Sequence, residues 1–132
     1  MDLVIMREAT WGFHRDRNMT PCWGEFMPFP DMALSVRRIT CHVSVRIARR
    51  AFELSMKSSR NVTAIHGANG LQMTDGWFLE CARAVATGFS QVQLGDLPTD
   101  ASTGHLVRNP ERFDMRVAEN FYVDILSDPA SE

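Results

Sequence analysis

The sequence lacks the signals that would assign it to a membrane, secreted or nucleic-acid-binding class. It contains no uninterrupted apolar run of about 18 residues, which a transmembrane helix requires, and no basic segment precedes its first apolar residues, as a secretory signal requires. Fourteen basic and sixteen acidic residues give a net charge of -2, which argues against a strongly basic nucleic-acid binder. We therefore expect a cytoplasmic protein that binds neither membranes nor nucleic acid.

Familiar short motifs are also absent. The three cysteines, Cys22, Cys41 and Cys81, form no CxxC pair, so the sequence predicts neither a disulfide framework nor a zinc knuckle. We interpret Cys41 and Cys81 as inert core thiols, because both fall within apolar helical stripes. The four histidines share no metal-ligand spacing, and the sequence has no P-loop, GxGxxG fingerprint or nucleophile elbow.

What is present is an alternation of strand and helix patterns. Ile39 to Lys57 repeats apolar residues at helical spacing, with Thr40 as a plausible N-cap, and a second helix is predicted over Asp75 to Thr87, capped by Thr74. Strands are predicted over residues 2–7, 62–66, 92–97 and 113–118, and shorter helices over 101–108 and 120–127. This alternation favours an α/β domain with a mixed sheet packed against helices, a single domain over residues 1–132.

Residues 14 to 38 combine prolines with many aromatic and methionine side chains. The prolines exclude a long helix and permit an extended arm or edge strands. An arm with so much apolar surface would be poorly soluble if exposed, so we expect it to pack on a partner subunit as a clasp in a homodimer.

Some polar residues suggest chemistry even without a family assignment. Asp124 and Asp128 are spaced i, i+4, which on a helix brings two carboxylates close enough for a hard divalent cation, although such pairs usually form a solvated face. Asp100 is either a third carboxylate of such a site or a helix N-cap. Arg7 suits a substrate carboxylate or a surface ion pair, and His66 is either a structural or a catalytic histidine.

Six segments, in order along the chain, resemble the β-decarboxylating dehydrogenases, that is, the isocitrate, isopropylmalate and tartrate/malate-type enzymes. Residues 2–14 resemble the family segment DLVIVRENTEGFY, and residues 24–37 resemble its arm. Residues 62–69 (VTAIHGAN) resemble VTAVHKAN, and 73–80 (MTDGWFLE) resemble MTDGLFLE. Residues 106–114 (LVRNPERFD) resemble LVRNPEQFD, and 120–128 (NFYVDILSD) resemble NLFGDILSD.

The resemblance implies a partial enzyme. It corresponds to the small dimerising domain with its clasp arm, truncated at both ends, without most of the dinucleotide-binding segments. We therefore expect no NAD or NADP binding.

Position by position, the resemblance implies a site that is partly retained. Arg7 matches an arginine that binds the substrate carboxylate, and Asn69 matches a substrate-binding asparagine. Asp100, Asp124 and Asp128 match three metal-site aspartates, which either still hold Mg²⁺ or Mn²⁺ or now cap helices.

Other positions depart from the family pattern. The catalytic lysine is replaced by Gly67 and the catalytic tyrosine by His14, which removes two proton-transfer groups. A glutamate is replaced by Trp11, a leucine by Trp77 and a glycine by Val123. These changes make a polar pocket apolar, which indicates a larger and less charged small-molecule ligand.

Two functional hypotheses remain open. In the first, which we favour from the sequence, the chain is a cofactor-independent, non-redox enzyme of isomerase, lyase or cyclase type with a pocket at the dimer interface. His14, Asp100 (from the second subunit) and His66 would be its catalytic residues, and Arg7, Trp11, Asn69, Trp77 and Val123 would bind the substrate. In the second, the chain is a non-catalytic dimeric relic that binds a ligand or regulates a full-length dehydrogenase. A closed apolar pocket would favour the first and a filled site the second.

Overall fold

A computed structural model describes residues 4–7, 24–108 and 115–130, with the side chains of residues 127–130 excepted. The described chain forms six strands and four helices. In order they are β1 (Val4–Arg7), β2 (Glu25–Phe29), β3 (Met32–Ser35), α1 (Cys41–Ser55), β4 (Asn61–His66), α2 (Thr74–Ala86), β5 (Gln93–Pro98), α3 (Thr99–Arg108), β6 (Met115–Ala118) and α4 (Asn120–Ala130).

Four of the strands form one sheet in the order β1-β6-β4-β5, and every neighbouring pair is parallel. The strands β2 and β3 form a separate antiparallel hairpin. The predicted α/β class is therefore confirmed, with parallel and antiparallel pairing in different sheets. Because parallel strands all end at the same edge, the last residues of β1, β4 and β6 lie near one another there.

Helices cover both faces of the parallel sheet. On one face, α1 and α2 pack Ala48, Phe52, Phe78 and Ala82 against strand residues that include Val62. On the other face, Leu106 of α3 and Tyr122, Val123 and Leu126 of α4 pack against Ile65 and Ala118. Successive residues in β4 and β6 thus point into different cores, as the two-residue period of a strand requires.

The ends of the helices and the solvent exposure of a few side chains differ from the sequence predictions. Helix α1 begins at Cys41, and Thr40 occupies the N-cap position without a side-chain capping hydrogen bond; Thr74 is the first residue of α2 and not its cap. Leu54 and Trp77 fall at helical spacing with the apolar residues of α1 and α2, yet both side chains are exposed. Cys41 is also exposed, not a core thiol, because it lies at the open end of α1.

The β2–β3 hairpin, residues 25–35, falls within the predicted arm, whose first ten residues lie outside the described part of the chain. Its apolar side chains are largely exposed, including Met27 at 65% and Phe29 at 59%. Among the described residues, no helix is both long and apolar enough to cross a membrane.

Candidate functional site

The candidate site lies at the edge of the sheet where the parallel strands end. Arg7, the last residue of β1, reaches the start of α4: its Nε donates to Asn120 Oδ1 at 2.7 Å, and its Nη1 lies 2.7 Å from Asp124 Oδ1. Arg7 and Asp124 are both partly open to solvent, so screening weakens their attraction. The guanidinium that the resemblance assigns to a substrate carboxylate is thus engaged by a carboxylate of the chain itself.

The position that the resemblance assigns to a catalytic lysine is Gly67, directly after β4, and the space beside it is filled. Tyr122 on α4 donates its hydroxyl proton to Asp75 Oδ2 at 2.7 Å, and the Gly67 N–H donates to the same oxygen. A Cβ atom placed on Gly67 would overlap the Tyr122 hydroxyl and would lie 2.7 Å from Asp75 Oδ2. Any side chain at position 67 would therefore have to displace the Tyr122 hydroxyl or the Asp75 carboxylate.

A buried cluster of charged groups surrounds this contact. Arg37, which follows β3, forms ion pairs with Asp75 and, at 3.1 Å, with Glu119; the side chains of the three are 4%, 1% and 3% exposed. The Arg37 guanidinium also lies 5.2 Å from the centre of the Tyr122 ring, a cation–π distance. One guanidinium therefore joins the segment after β3, the first turn of α2 and the residue after β6.

Burial changes the acidity of two groups in this cluster. Desolvation raises the pKa of Glu119, and the nearby Arg37 charge opposes that rise. The pKa of the Tyr122 hydroxyl is raised well above its ordinary value. The largest cause is desolvation, and the second is the hydrogen bond to Asp75. At neutral pH Tyr122 is therefore protonated and donates a hydrogen bond to Asp75, so its hydroxyl is not available as a general acid for a ligand.

His66, the last residue of β4, is buried and hydrogen-bonded through both ring nitrogens. Its Nδ1 accepts the Ala68 N–H at 3.1 Å, so the proton is on Nε2, which lies 3.3 Å from Asp96 Oδ2. Arg83 on α2 contacts the other oxygen of Asp96, also at 3.3 Å. This arrangement fixes the ring and occupies both nitrogens, and the catalytic role of His66 stays a prediction.

The aspartates predicted as metal ligands do not meet among the described residues. Asp124 is paired with Arg7, and Asp100, in the first turn of α3, is exposed and accepts the Ala101 N–H through Oδ1. No group of three His, Cys, Asp or Glu side chains is placed to hold a metal within the described ranges, which exclude the Asp128 side chain. A metal ion bound to Asp124 would have to displace the Arg7 guanidinium, and the role of Asp100, Asp124 and Asp128 as ligands of Mg²⁺ or Mn²⁺ stays a prediction.

The predicted ligand-binding residues are dispersed. Asn69 is exposed in the loop after β4, Trp77 is exposed on α2, and Val123 is buried in the core beneath α4. Trp11 and His14, central to the catalytic hypothesis, lie outside the described residues. The roles of all five residues remain predictions.

Sequence reasoning missed the buried cluster of Arg37, Asp75, Glu119 and Tyr122. One signal was available: Tyr122 is the only tyrosine of the chain and stands where the similar segment NLFGDILSD has phenylalanine. Compared with the similar family segments, position 122 has an additional hydroxyl and position 67 lacks the lysine side chain. The hydroxyl occupies the space that a side chain at position 67 would need. Nothing in the spacing of the four residues along the chain indicated that they meet.

Comparison with known proteins places this geometry in a family. The family model described as isocitrate/isopropylmalate dehydrogenase matches residues 1–132. The 3-isopropylmalate dehydrogenase of Sulfurisphaera tokodaii is 36% identical over 132 residues, which are 100% of this chain and 36% of that protein. The human mitochondrial protein named isocitrate dehydrogenase [NAD] subunit gamma is 35% identical over 128 residues, which are 96% of this chain and 31% of that protein.

Solved structures agree. A crystal structure of isocitrate dehydrogenase from Methylococcus capsulatus superposes with a TM-score of 0.84 at 34% identity, covering 97% of this chain and 37% of that one. The chain thus spans about a third of the length of the relatives it matches, such as 36% for the Sulfurisphaera tokodaii enzyme. On the match over all its residues, the chain belongs to the isocitrate/isopropylmalate dehydrogenase family.

Proposed function

We propose that this chain is a non-catalytic, dimer-forming subunit of the family, which acts by assembling with a full-length family dehydrogenase. The observation that carries the proposal is the filled space at Gly67, where an added Cβ would overlap the Tyr122 hydroxyl and crowd Asp75. A filled site favours the regulatory relic over the repurposed enzyme.

The first step of the argument concerns proton transfer. Glycine has no titratable side chain, so position 67 cannot supply the proton transfer that the resemblance assigns to a lysine there. The neighbouring groups do not replace it. Asp75 accepts hydrogen bonds from the Gly67 N–H and the Tyr122 hydroxyl and pairs with Arg37, so its oxygens are committed within the protein.

The second step concerns substrate binding. Arg7 is bonded to Asn120 and Asp124, so a substrate carboxylate would have to compete with an existing ion pair. The group that the resemblance assigns to a substrate carboxylate is thus bonded within the chain itself. Such a chain retains the scaffold and the contact surfaces of the family without its proton-transfer group.

The third step concerns assembly. The β2–β3 hairpin exposes five large apolar side chains, which water solvates poorly: Phe26, Met27, Phe29, Met32 and Leu34. One of the relatives is named as a subunit, subunit gamma of an isocitrate dehydrogenase, which supports a role for such a chain within an assembly. We propose that the hairpin packs on the subunit of the dehydrogenase and that this contact holds the pair together.

The test combines the purified chain with the family dehydrogenase of the same organism, each at about 10 µM. Native mass spectrometry should detect a mixed species, and titration with this chain should change the kcat or the KM of the dehydrogenase. The chain alone, given NAD, Mg²⁺ and isocitrate, isopropylmalate or tartrate, should produce no NADH.

A matched pair of variants separates a specific contact from loss of folding. The double variant Met27→Ser/Phe29→Ser should abolish the mixed species, whereas Val107→Ser, which changes an equally exposed apolar residue on α3, should retain it. Failure of the wild-type chain to form the mixed species, or turnover of any of the three substrates by the chain alone, would overturn the proposal.

A further inference from the structure

Two cysteines that are far apart in the sequence meet between the first two helices. Cys41 is the first residue of α1, and Cys81 lies in the middle of α2. Their Sγ atoms are 3.0 Å apart, with the Cys81 thiol donating to Cys41. Both cysteines are free thiols in this structure, and the proposed function uses neither of them.

The pair is held in place by the packing of the helices. Ala48, Ala51 and Phe52 of α1 share one core cluster with Phe78 and Ala82 of α2. Arg37, four residues before Cys41, also contacts the first turn of α2 through Thr74 and Asp75. Because both flanks are anchored, the two sulfur atoms remain neighbours, and a disulfide about 2.05 Å long requires the sulfurs to approach by only about 1 Å.

The two thiols differ in their access to solvent. Cys41 is exposed and Cys81 is buried, and burial, with a further contribution from Cys41, raises the pKa of the Cys81 thiol to about 12. A disulfide reagent in solution therefore reacts with Cys41 first. Among the described residues, Cys81 is the only other cysteine, and its thiol contacts Cys41. An exposed cysteine backed by a second cysteine is the arrangement of a thiol pair that oxidises reversibly.

We propose that Cys41 and Cys81 are a reversible redox site, which closes to an intramolecular disulfide by exchange with a low-molecular-weight disulfide such as oxidised glutathione. The proposal is independent of the proposed function.

The exchange balances in two steps. The Cys41 thiolate attacks one sulfur of the reagent, forms a mixed disulfide and releases one thiolate, which takes up a proton. Cys81 then attacks the Cys41 Sγ, and its proton passes to the second thiolate as that group departs, so that the second thiol is released. The two protein thiols lose two electrons, and the reagent disulfide is reduced to two thiols.

The consequence is a covalent bond between the start of α1 and the middle of α2. The closed loop spans residues 41 to 81, long enough for a cross-link to restrict the unfolded chain substantially. We expect the oxidised chain to melt roughly 5–15 °C above the reduced chain, and a thiol reductant to reverse the shift.

The experiment uses the full chain carrying Cys22→Ser, so that only the pair remains. The protein is equilibrated with mixtures of oxidised and reduced glutathione, its remaining thiols are alkylated, and it is digested with trypsin without reduction. The expected product joins the peptide of residues 39–46 to that of residues 61–83, two hydrogens lighter than their sum, and disappears on reduction. The same sample should show the rise in melting temperature.

Two variants act as controls. Cys41→Ser should abolish both the linked peptide and the melting shift, and Cys81→Ala should stop the reaction at the glutathione adduct of Cys41. If Cys81→Ala fails to fold, Cys41→Ser carries the comparison, because its exposed position tolerates the change. A stable glutathione adduct on Cys41 in the presence of Cys81, a bond only between two chains, or no oxidation at all would overturn the proposal.

Discussion

At the scale of single residues, the groups packed beside Gly67 determine which side chains this position can accept. The Tyr122 hydroxyl and Asp75 occupy the space beside Gly67 that a longer side chain would need, and the Gly67 N–H is bonded to the same carboxylate. The contact is rigid, because Tyr122 and Asp75 are both buried and the tyrosine ring cannot fold away. Position 67 therefore requires glycine for packing, not for its backbone freedom.

This packing predicts the effect of the smallest possible side chain. Gly67→Ala should lower the free energy of unfolding by about 1–3 kcal/mol, as overpacked buried sites generally do. The measurement is urea denaturation followed by circular dichroism. Gly104→Ala is the matched control: a Cβ at Gly104 on α3 meets no atom within 4 Å, so this change should be neutral or stabilising by up to about 1 kcal/mol.

A double variant identifies the cause. If the Tyr122 hydroxyl is the obstacle, Gly67→Ala/Tyr122→Phe should be less destabilised than the sum of its two single variants, by about 1 kcal/mol or more. Simple additivity would instead place the strain elsewhere and would weaken the conclusion that this position is filled.

The raised pKa of Tyr122 predicts an alkaline instability. Burial, followed by the Asp75 hydrogen bond, raises its pKa in the folded state above the ordinary value of about 10. The stabilisation from the neutral hydroxyl is therefore fully present below about pH 10 and is lost above it, at up to about 1.4 kcal/mol per pH unit, because the unfolded chain releases this proton more readily.

Since the chain has one tyrosine, the change in ultraviolet absorbance on tyrosinate formation reports this group alone. Tyrosinate should appear only as the protein unfolds, in the same pH range as the loss of circular dichroism. The Tyr122→Phe variant should lose less stability than the wild type above pH 10. Ionisation of Tyr122 near pH 10 in the still-folded protein would contradict the burial argument.

At the scale of secondary-structure elements, the periodic patterns were predictable and the element ends were less so. The stripe that includes Val43, Ile47 and Ala51 located α1, because only one face of a helix can enter the core. Its ends moved inward from Ile39 and Lys57 to Cys41 and Ser55, since no side-chain cap holds the first turn. Trp77 matched the stripe of α2 but lies at its exposed margin, a distinction that periodicity alone does not make.

The site was harder to predict because its parts come from different elements. Arg7 and Asp124 were identified individually, but their pairing follows from the position of β1 beside β6 and α4. The cluster around Arg37 joins residues separated by as many as 85 positions (37 to 122), and such contacts leave no local pattern. The resemblance located Gly67, and only the structure identified what fills its place.

Arg37 is expected to hold three elements together. Arg37→Met would leave the Asp75 and Glu119 carboxylates buried without their cation and should lower the free energy of unfolding by about 3–5 kcal/mol. Chemical denaturation at pH 7 measures the effect. Arg49→Met, on the exposed face of α1, makes the same chemical change and should remain within about 0.5 kcal/mol of the wild type.

The pH dependence of the Arg37→Met variant gives a second check. Without Arg37, the pKa of Glu119 should rise further, because the guanidinium is the largest influence opposing desolvation. Stability from a raised carboxyl pKa is present at low pH and is lost as the pH rises through that pKa. The variant should therefore recover part of its stability between pH 7 and pH 5, and Glu119→Gln should reduce the recovery.

At the scale of the whole molecule, the fold separates an inward-facing site from an outward-facing apolar surface. The polar groups at the sheet edge bind one another, whereas the β2–β3 hairpin exposes Met27 and Phe29. A small chain gains stability when such a surface is covered, because burying apolar area is the main favourable contribution to association. In the absence of another subunit, a second copy of the chain is the occupant we expect, in a homodimer.

Dimer formation predicts a melting temperature that depends on concentration, since folding is then coupled to association. With an unfolding enthalpy of roughly 0.7 kcal/mol per residue, a tenfold increase in concentration should raise the melting temperature by roughly 3 °C. Calorimetry between about 2 and 200 µM measures this dependence, with sedimentation equilibrium to establish the mass. The double variant Met27→Ser/Phe29→Ser removes four apolar side chains from a homodimer, and it should weaken self-association roughly 10⁴-fold if each contributes about 1.5 kcal/mol. A wild-type melting temperature that is independent of concentration, with a mass of 14.9 kDa in sedimentation, would contradict the homodimer.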